Sequence, residues 1–304
     1  MASDESAQDT IAELQRRLND RSLPMYQRMR VVFSLRNLKG PKAVEALASA
    51  LDDPSALLKH ELAYCMGQMR DRSAIPMLES VLRNRNEDPM VRHEAGEALG
   101  AIGDPSVIPT LKEFVHDPVV EVAETCQIAV GKLLLDLSNP STVVYPSSEA
   151  FLSIDPAPPV SGMSVAELRS LLLDVNLSLF ERYRALFALR NMNNEASVLA
   201  IADAFSDKSA LLRHELGYVL GQMQHSAAVP ALTKVLTDPS ESAMVRHEAA
   251  EALGSIGDPQ SLPLLTKYRA DPQQVVSESC IVAVDMHEYF NSDQFQYADM
   301  VEAR

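Results

Sequence analysis

The sequence predicts an all-α chain built from two duplicated sets of helical repeats. Three observations carry this. Alanine and leucine dominate, aromatics make up only 5% and tryptophan is absent, a balance that favours helices over sheets. Proline, at 18 residues, is too frequent for one long helix and fits many short helices with a proline near each start. The chain also repeats itself at a fixed offset.

That offset is 154 residues. Residues 55–69 (SALLKHELAYCMGQM) match 209–223 (SALLRHELGYVLGQM) at eleven of fifteen positions. Residues 90–105 (MVRHEAGEALGAIGDP) match 244–259 (MVRHEAAEALGSIGDP) at fourteen of sixteen. The same offset aligns Phe33 to Asn37 with Phe187 to Asn191, and Asp117-Pro118 with Asp271-Pro272. Two halves follow, 1–136 and 164–290, each with about four helix pairs and each facing the other. The Pro- and Ser-rich stretch 137–163 between them lacks helical periodicity and reads as a linker, either mobile or packed across the active face. The tail 291–304 carries no legible motif and is expected to be flexible.

Within each half a shorter period appears, since His60 and His93 are 33 residues apart, as are His214 and His247. Asp-Pro recurs at 53, 88, 104, 117, 258 and 271. It reads as a helix start: the carboxylate accepts orphan backbone N–H groups, and proline has no N–H to leave unpaired. A tetratricopeptide array would show its tryptophan and an ankyrin array its TPLHxA; neither is present. Asp-Pro starts with Ala/Leu/Val-rich second helices resemble short HEAT-type repeats, which stack into a curved solenoid.

Composition excludes several functions. The net charge of −15 argues against a nucleic-acid surface and suits a cationic partner. No apolar run approaches membrane-spanning length, and MASDESAQDT shows no signal-peptide pattern, so a cytoplasmic protein is expected. Cys65, Cys126 and Cys280 form no CxxC; Cys126 and Cys280, at matching points of the halves, read as buried structural thiols.

The chemistry-bearing pattern is His-Glu, at His60-Glu61, His93-Glu94, His214-Glu215 and His247-Glu248. Each pair stands near the start of a predicted second helix. The neighbouring repeat of each half carries Glu124-Thr125 or Glu278-Ser279 instead, so the pair is not a generic feature of the repeat. Packed helices lie about 8–10 Å apart, within reach of inward imidazoles and carboxylates. Two histidines and one carboxylate with open positions form a ligand set of non-haem iron oxygenases, and each half supplies one such set with a glutamate left over. Halves related by a pseudo-two-fold would bring two ions to about 3.5–4 Å. HEAGE is not HExxH, so a zincin is not supported.

Glycine follows each of these histidines by seven residues, at Gly67, Gly100, Gly221 and Gly254. A helix-interior glycine costs about 1 kcal/mol relative to alanine, so its recurrence implies close helix approach or room for a ligand. Met90 and Met244, one turn before His93 and His247, read as core or pocket wall. Glu97 and Glu251, one turn after, are expected to orient those imidazoles or to be solvated. His116, His225 and His287 lack matched partners and are left out of the site.

In LLKHELAYCMGQM, MVRHEAGEALGAIGDP, LLRHELGYVLGQM and MVRHEAAEALGSIGDP the chain resembles the deoxyhypusine hydroxylases, over nearly its whole length apart from both termini and the linker. The resemblance implies an O2-dependent di-iron monooxygenase that hydroxylates deoxyhypusine on the precursor of the eukaryotic translation factor five A. It implies two ferrous ions per chain with O2 as co-substrate. His60, His93 and Glu94 would hold one ion, and His214, His247 and Glu248 the other. Glu61 and Glu215 would hold the substrate's amines and act in catalysis, with Gly67, Gly221, Met90 and Met244 beside the substrate. A monomer is expected, because the duplicated chain supplies its own two-fold. The residues alone leave open a metal-free interaction scaffold and a zinc- or manganese-dependent hydrolase.

Overall fold

The computed structural model describes residues 2–139 and 151–292, with side chains from Asp9 onward. Linker residues 140–150, and the expected flexible tail from 293 on, lie outside the described residues. Among the described residues there are sixteen α-helices and no strand. The first half contributes α1 (Ala2–Asn19), α2 (Met25–Leu38), α3 (Pro41–Ala48), α4 (Ala56–Met69), α5 (Ile75–Arg83), α6 (Pro89–Ile102), α7 (Ile108–Phe114) and α8 (Val120–Ser138). The second contributes α9 (Val165–Leu173), α10 (Leu179–Met192), α11 (Glu195–Ala202), α12 (Ala210–Met223), α13 (Val229–Thr237), α14 (Ala243–Ile256), α15 (Leu262–Tyr268) and α16 (Gln274–Phe290).

The even-numbered helices form the inner layer. Each packs on the next along the chain, and α16 packs back against α2, so the eight close into a ring. Closure is fastened by Arg30 of α2, which donates to both oxygens of Asp285 on α16 at 3.0 and 2.6 Å. Glu124 and Glu278 act across the halves: Ser209, the N-cap of α12, donates to Glu124 at 2.7 Å, and Ser55, the N-cap of α4, donates to Glu278 at 2.6 Å. The residues that replace His-Glu in those repeats therefore join the two halves.

A buried brace repeats four times. Arg28, Arg92, Arg182 and Arg246 each donate to a leucine carbonyl ten residues back and to an aspartate 25 residues ahead. This corrects part of the Asp-Pro reading. Asp88 does cap α6, with Pro89 in its first turn, and Asp104 caps a short 3-10 turn. Asp53, Asp117 and Asp271 sit two residues ahead of the N-caps of α4, α8 and α16, where each accepts the N–H of that N-cap residue and pairs with a brace arginine as well. A carboxylate has lone pairs enough for both, so an aspartate before proline can hold a buried guanidinium and an orphan amide together.

The glycines mark close helix approach. A Cβ on Gly67 would lie 2.7 Å from the Ala98 backbone, and one on Gly254 the same distance from Ala283. On Gly100 it would meet Ala129 at 2.8 Å, and on Gly221 the Ala252 backbone at 3.1 Å. All four thus face an alanine of the next inner helix. Cys65, Cys126 and Cys280 are buried free thiols, and burial pushes Cys126 and Cys280 up to about 12.

Candidate metal centre

The ring brings all four His-Glu pairs to its axis. Each histidine is the fifth residue of its inner helix, so the four stand at one level. The imidazole centroids lie 5.5 Å apart for His60 and His93, 5.2 Å for His214 and His247, 5.4 Å for His60 and His247, and 5.3 Å for His93 and His214. Ligand atoms of His60, His93 and Glu94 all fall within 4.8 Å of one another. On the other side, Glu248 Oε2 is 3.3 Å from His214 Nε2 and 3.9 Å from His247 Nε2. The halves also interleave, for His60 comes equally close to His214 and His247.

These groups are buried yet do not satisfy one another. His60 Nε2 lies 3.2 Å from Glu94 Oε2, but without hydrogen-bond geometry. Both ring nitrogens of His93 and of His214, Nε2 of His247 and Oε1 of Glu215 have no hydrogen-bond partner. Buried polar atoms left unpaired cost about 1–3 kcal/mol each, so convergent lone pairs of this kind fit a cation better than an empty core. Imidazole and carboxylate donors without thiolate suit iron, zinc or manganese.

The electrostatics agree. Burial, with the other imidazoles, pushes His93 well below the usual histidine range. Burial and then His60 bring His214 down to about 3, and burial also lowers His247 strongly. His60 is the exception: burial works against its charge, but Glu94 and Glu61 outweigh it and raise the ring well above normal. Burial lifts Glu61, and lifts Glu97 and Glu215 further, while Glu248 rises to about 7 and Glu251 to about 8. Carboxyls pushed toward their neutral form, beside three imidazoles also pushed toward theirs, form a site in need of positive charge.

A cavity of about 190 Å3 opens from this centre toward the C-terminal ends of the inner helices. Glu61, Glu215, Glu97 and Glu251 line it, together with Phe33, Tyr64, Tyr218, Gln222 and Met286. Gly221 lines it too; Gly67, packed against Ala98, is not among its lining residues. Met90 and Met244 are not either. They face a second cavity of about 490 Å3 at the N-terminal ends of the inner helices, one turn beyond the histidines. The expected orienting role divides: Glu251 lies 3.7 Å from His247 Nδ1 and accepts from Ser279, whereas His93 Nδ1 has no partner, so Glu97 does not hold it. His225 caps a 3-10 turn, His287 pairs with the Asp258 carbonyl and His116 is exposed, all outside the site.

Sequence reasoning missed the residues around the cavity mouth. Tyr64 and Tyr218 hydrogen-bond to each other across the pseudo-two-fold at 2.9 Å. Gln222 donates to Tyr218 and to Ser153 of the linker, and Gln68 binds both the N–H and the carbonyl of Ile154. A signal was present: each tyrosine follows its histidine by four residues, the spacing of neighbours on one helix face. The linker chooses packing over freedom here. Asp155 accepts from Arg190 through both oxygens at 2.7 and 2.6 Å.

Fold and site together define a HEAT-repeat protein whose two halves enclose a buried histidine–carboxylate centre able to hold metal. A family model described as HEAT repeats matches residues 44–131 and 198–285, and one described as PBS lyase HEAT-like repeat matches 27–53. The chain is 54% identical to deoxyhypusine hydroxylase of Danio rerio over 90% of both proteins, and 53% identical to that of Mus musculus over 94% of both. The structure of human deoxyhypusine hydroxylase in complex with glycerol superposes with a TM-score of 0.91 at 51% identity, covering 94% of this chain and 99% of that one. The chain belongs to the deoxyhypusine hydroxylase family.

Proposed function

We propose that this protein is an O2-dependent di-iron monooxygenase that hydroxylates the deoxyhypusine side chain of the precursor of the eukaryotic translation factor five A, forming hypusine. One observation carries the metal reading: four buried imidazoles converge with unpaired nitrogens beside Glu94 and Glu248. His60, His93 and Glu94 would hold one iron, and His214, His247 and Glu248 the other. Bound ferrous iron supplies the reduction of O2 that oxidation of an unactivated C–H requires.

The chain's own residues bind and orient the substrate. Deoxyhypusine is a long amine-bearing side chain, and the cavity presents Glu61 and Glu215 to it beside the centre. A carboxyl whose pKa burial has raised ionises when an ammonium arrives next to it, so binding creates its own ion pair. The tyrosine pair and the narrow cavity keep water from the reacting carbon. The net charge of −15 adds long-range attraction for a cation. Ring closure completes the centre within one chain, which supports a monomer. Metal analysis of protein purified without chelators tests the reading: about two irons per chain, with hydroxylation of the precursor dependent on O2, is the expected result. No iron after ferrous reconstitution would sink it.

A further inference from the structure

Four carboxyls face the cavity outside the two ligand sets, and the duplication makes them two equivalent pairs. Glu61 matches Glu215, and Glu97 matches Glu251, at the 154-residue offset. All four line the cavity beside the histidine level. Equivalent in sequence, they are unequally engaged. Glu61 bonds His60 Nδ1 at 3.1 Å, whereas Oε1 of its counterpart Glu215, a residue only 2% exposed, has no hydrogen-bond partner. Glu251 accepts from Ser279 at 3.0 Å and lies 3.7 Å from His247 Nδ1. Glu97, its carboxyl lifted by burial and by Glu94, receives no hydrogen bond among the described residues. Thr125 stands where Ser279 stands in the other half, yet its buried hydroxyl is unpaired there too. Two of the four carboxyls are thus tied back, and two are left to receive something else.

The two unengaged carboxyls share one wall. Burial raises Glu215 first, and of the charges around it Glu97 adds most. On the other wall burial raises Glu61, and Glu251 is the carboxylate that adds most. Glu215 is the sixth residue of α12 and Glu97 the ninth of α6, so about 4.5 Å of helix rise separates them along the ring axis. Behind Glu97, the gap among Thr125, Ile128, Ala129 and Pro156 is only about 10 Å3, at the lower limit for one water, so the side chain is not solvated from the rear. Two adjacent carboxyls without a donor favour a cation between them.

We propose that Glu97 is a substrate-binding residue: with Glu215 it holds one ammonium of the deoxyhypusine side chain, leaving Glu61 on the opposite wall for the other amine, while Glu251, tied to Ser279, takes no part. The assignment rests on the proposed function. An ammonium offers several donors and no acceptor, so it can satisfy carboxylates at two heights at once. The inequality of the walls also has a use. A side chain entering a pseudo-two-fold ring has two equivalent ways to lie, and one unengaged carboxyl pair selects between them.

Binding of the deoxyhypusine-bearing precursor to the whole, iron-loaded protein in the absence of O2 tests this apart from turnover. Glu97→Gln should weaken binding about tenfold or more, the worth of a charged hydrogen bond, and raise KM to match with iron content unchanged, whereas Glu251→Gln should leave affinity within about twofold. Glu97→Asp, which keeps the charge, should recover part of the loss. Because one ammonium is shared, Glu97→Gln combined with Glu215→Gln should lose clearly less than the product of the single losses. Unaltered affinity in Glu97→Gln, loss of its iron, an equal loss in Glu251→Gln, or losses that simply multiply would overturn the assignment and leave the proposed function standing. An unmodified, iron-loaded chain that does not bind the precursor would overturn both.

Discussion

The two halves place the same residues at the level of the histidines and differ at the mouth above them. At the lower level each half offers two imidazoles and two carboxylates in matching positions. At the upper level linker residues pack on Arg190 of the second half, whereas among the described residues Arg36 and Phe33 of the first half have no such cover, and Phe33 lines the cavity. The difference teaches where symmetry is useful. Buried ligand sets in matching positions keep matching residues, whereas at the mouth the described linker residues meet only one of the two equivalent arginines.

Four changes would break or sharpen this comparison. The largest effect is expected at the shared level. His93→Ala and His247→Ala should each lose iron and lower activity by more than about a hundredfold, beyond the usual cost of losing a ligand's outer partner. Metal analysis and turnover should show equal losses; unequal ones would mean that the halves are not equivalent ligand sets. Next comes the mouth. Asp155→Asn leaves a fully buried guanidinium without its charge partner and should cost about 3–5 kcal/mol in denaturant unfolding, whereas Arg36→Ala should cost under about 1 kcal/mol. Similar costs would show that the clefts are not so different.

The left-over carboxylates give a smaller and subtler split. Glu215→Ala should raise KM about ten- to a hundredfold, the worth of a charged hydrogen bond of about 1.5–3 kcal/mol, with iron retained. Glu61 also bonds His60 at 3.1 Å, so Glu61→Ala should raise KM similarly and reduce iron occupancy slightly. An iron-free Glu61→Ala protein would assign that residue to the metal instead. The smallest effect concerns pH. In metal-free protein the carboxyls are raised, so the native state holds protons that the unfolded chain has lost above its carboxyl pKa, and stability falls as pH rises through the native values. The lowered histidines act oppositely, but only below about pH 6.5, where the unfolded imidazole titrates. Thermal melts of the metal-free protein should therefore decline between about pH 6.5 and 8, through Glu248 near 7 and Glu251 near 8. The iron-loaded protein, its carboxylates already ionised, should not decline, and a flat metal-free profile would count against the raised carboxyls.

Much of this molecule was legible in its residues because the signals are local or strictly repeated. Helix class follows from Ala/Leu content and proline placement, the duplication from identity at one offset, and the ligand candidates from His-Glu at four matched places. Other features needed the fold. Ring closure by Arg30 and Asp285, the bonds that Glu124 and Glu278 make across the halves, and the distances among four histidines all depend on small rotations accumulated from repeat to repeat. Those rotations are set by packing, such as Gly67 on Ala98, and no periodicity encodes them. Met90 and Met244 share a helix face with the ligands, yet a turn along the axis placed them at the opposite mouth. The linker is the clearest case: its composition specifies only that it is not a helix, and the buried arginine it meets 35 residues later decides that it becomes a wall.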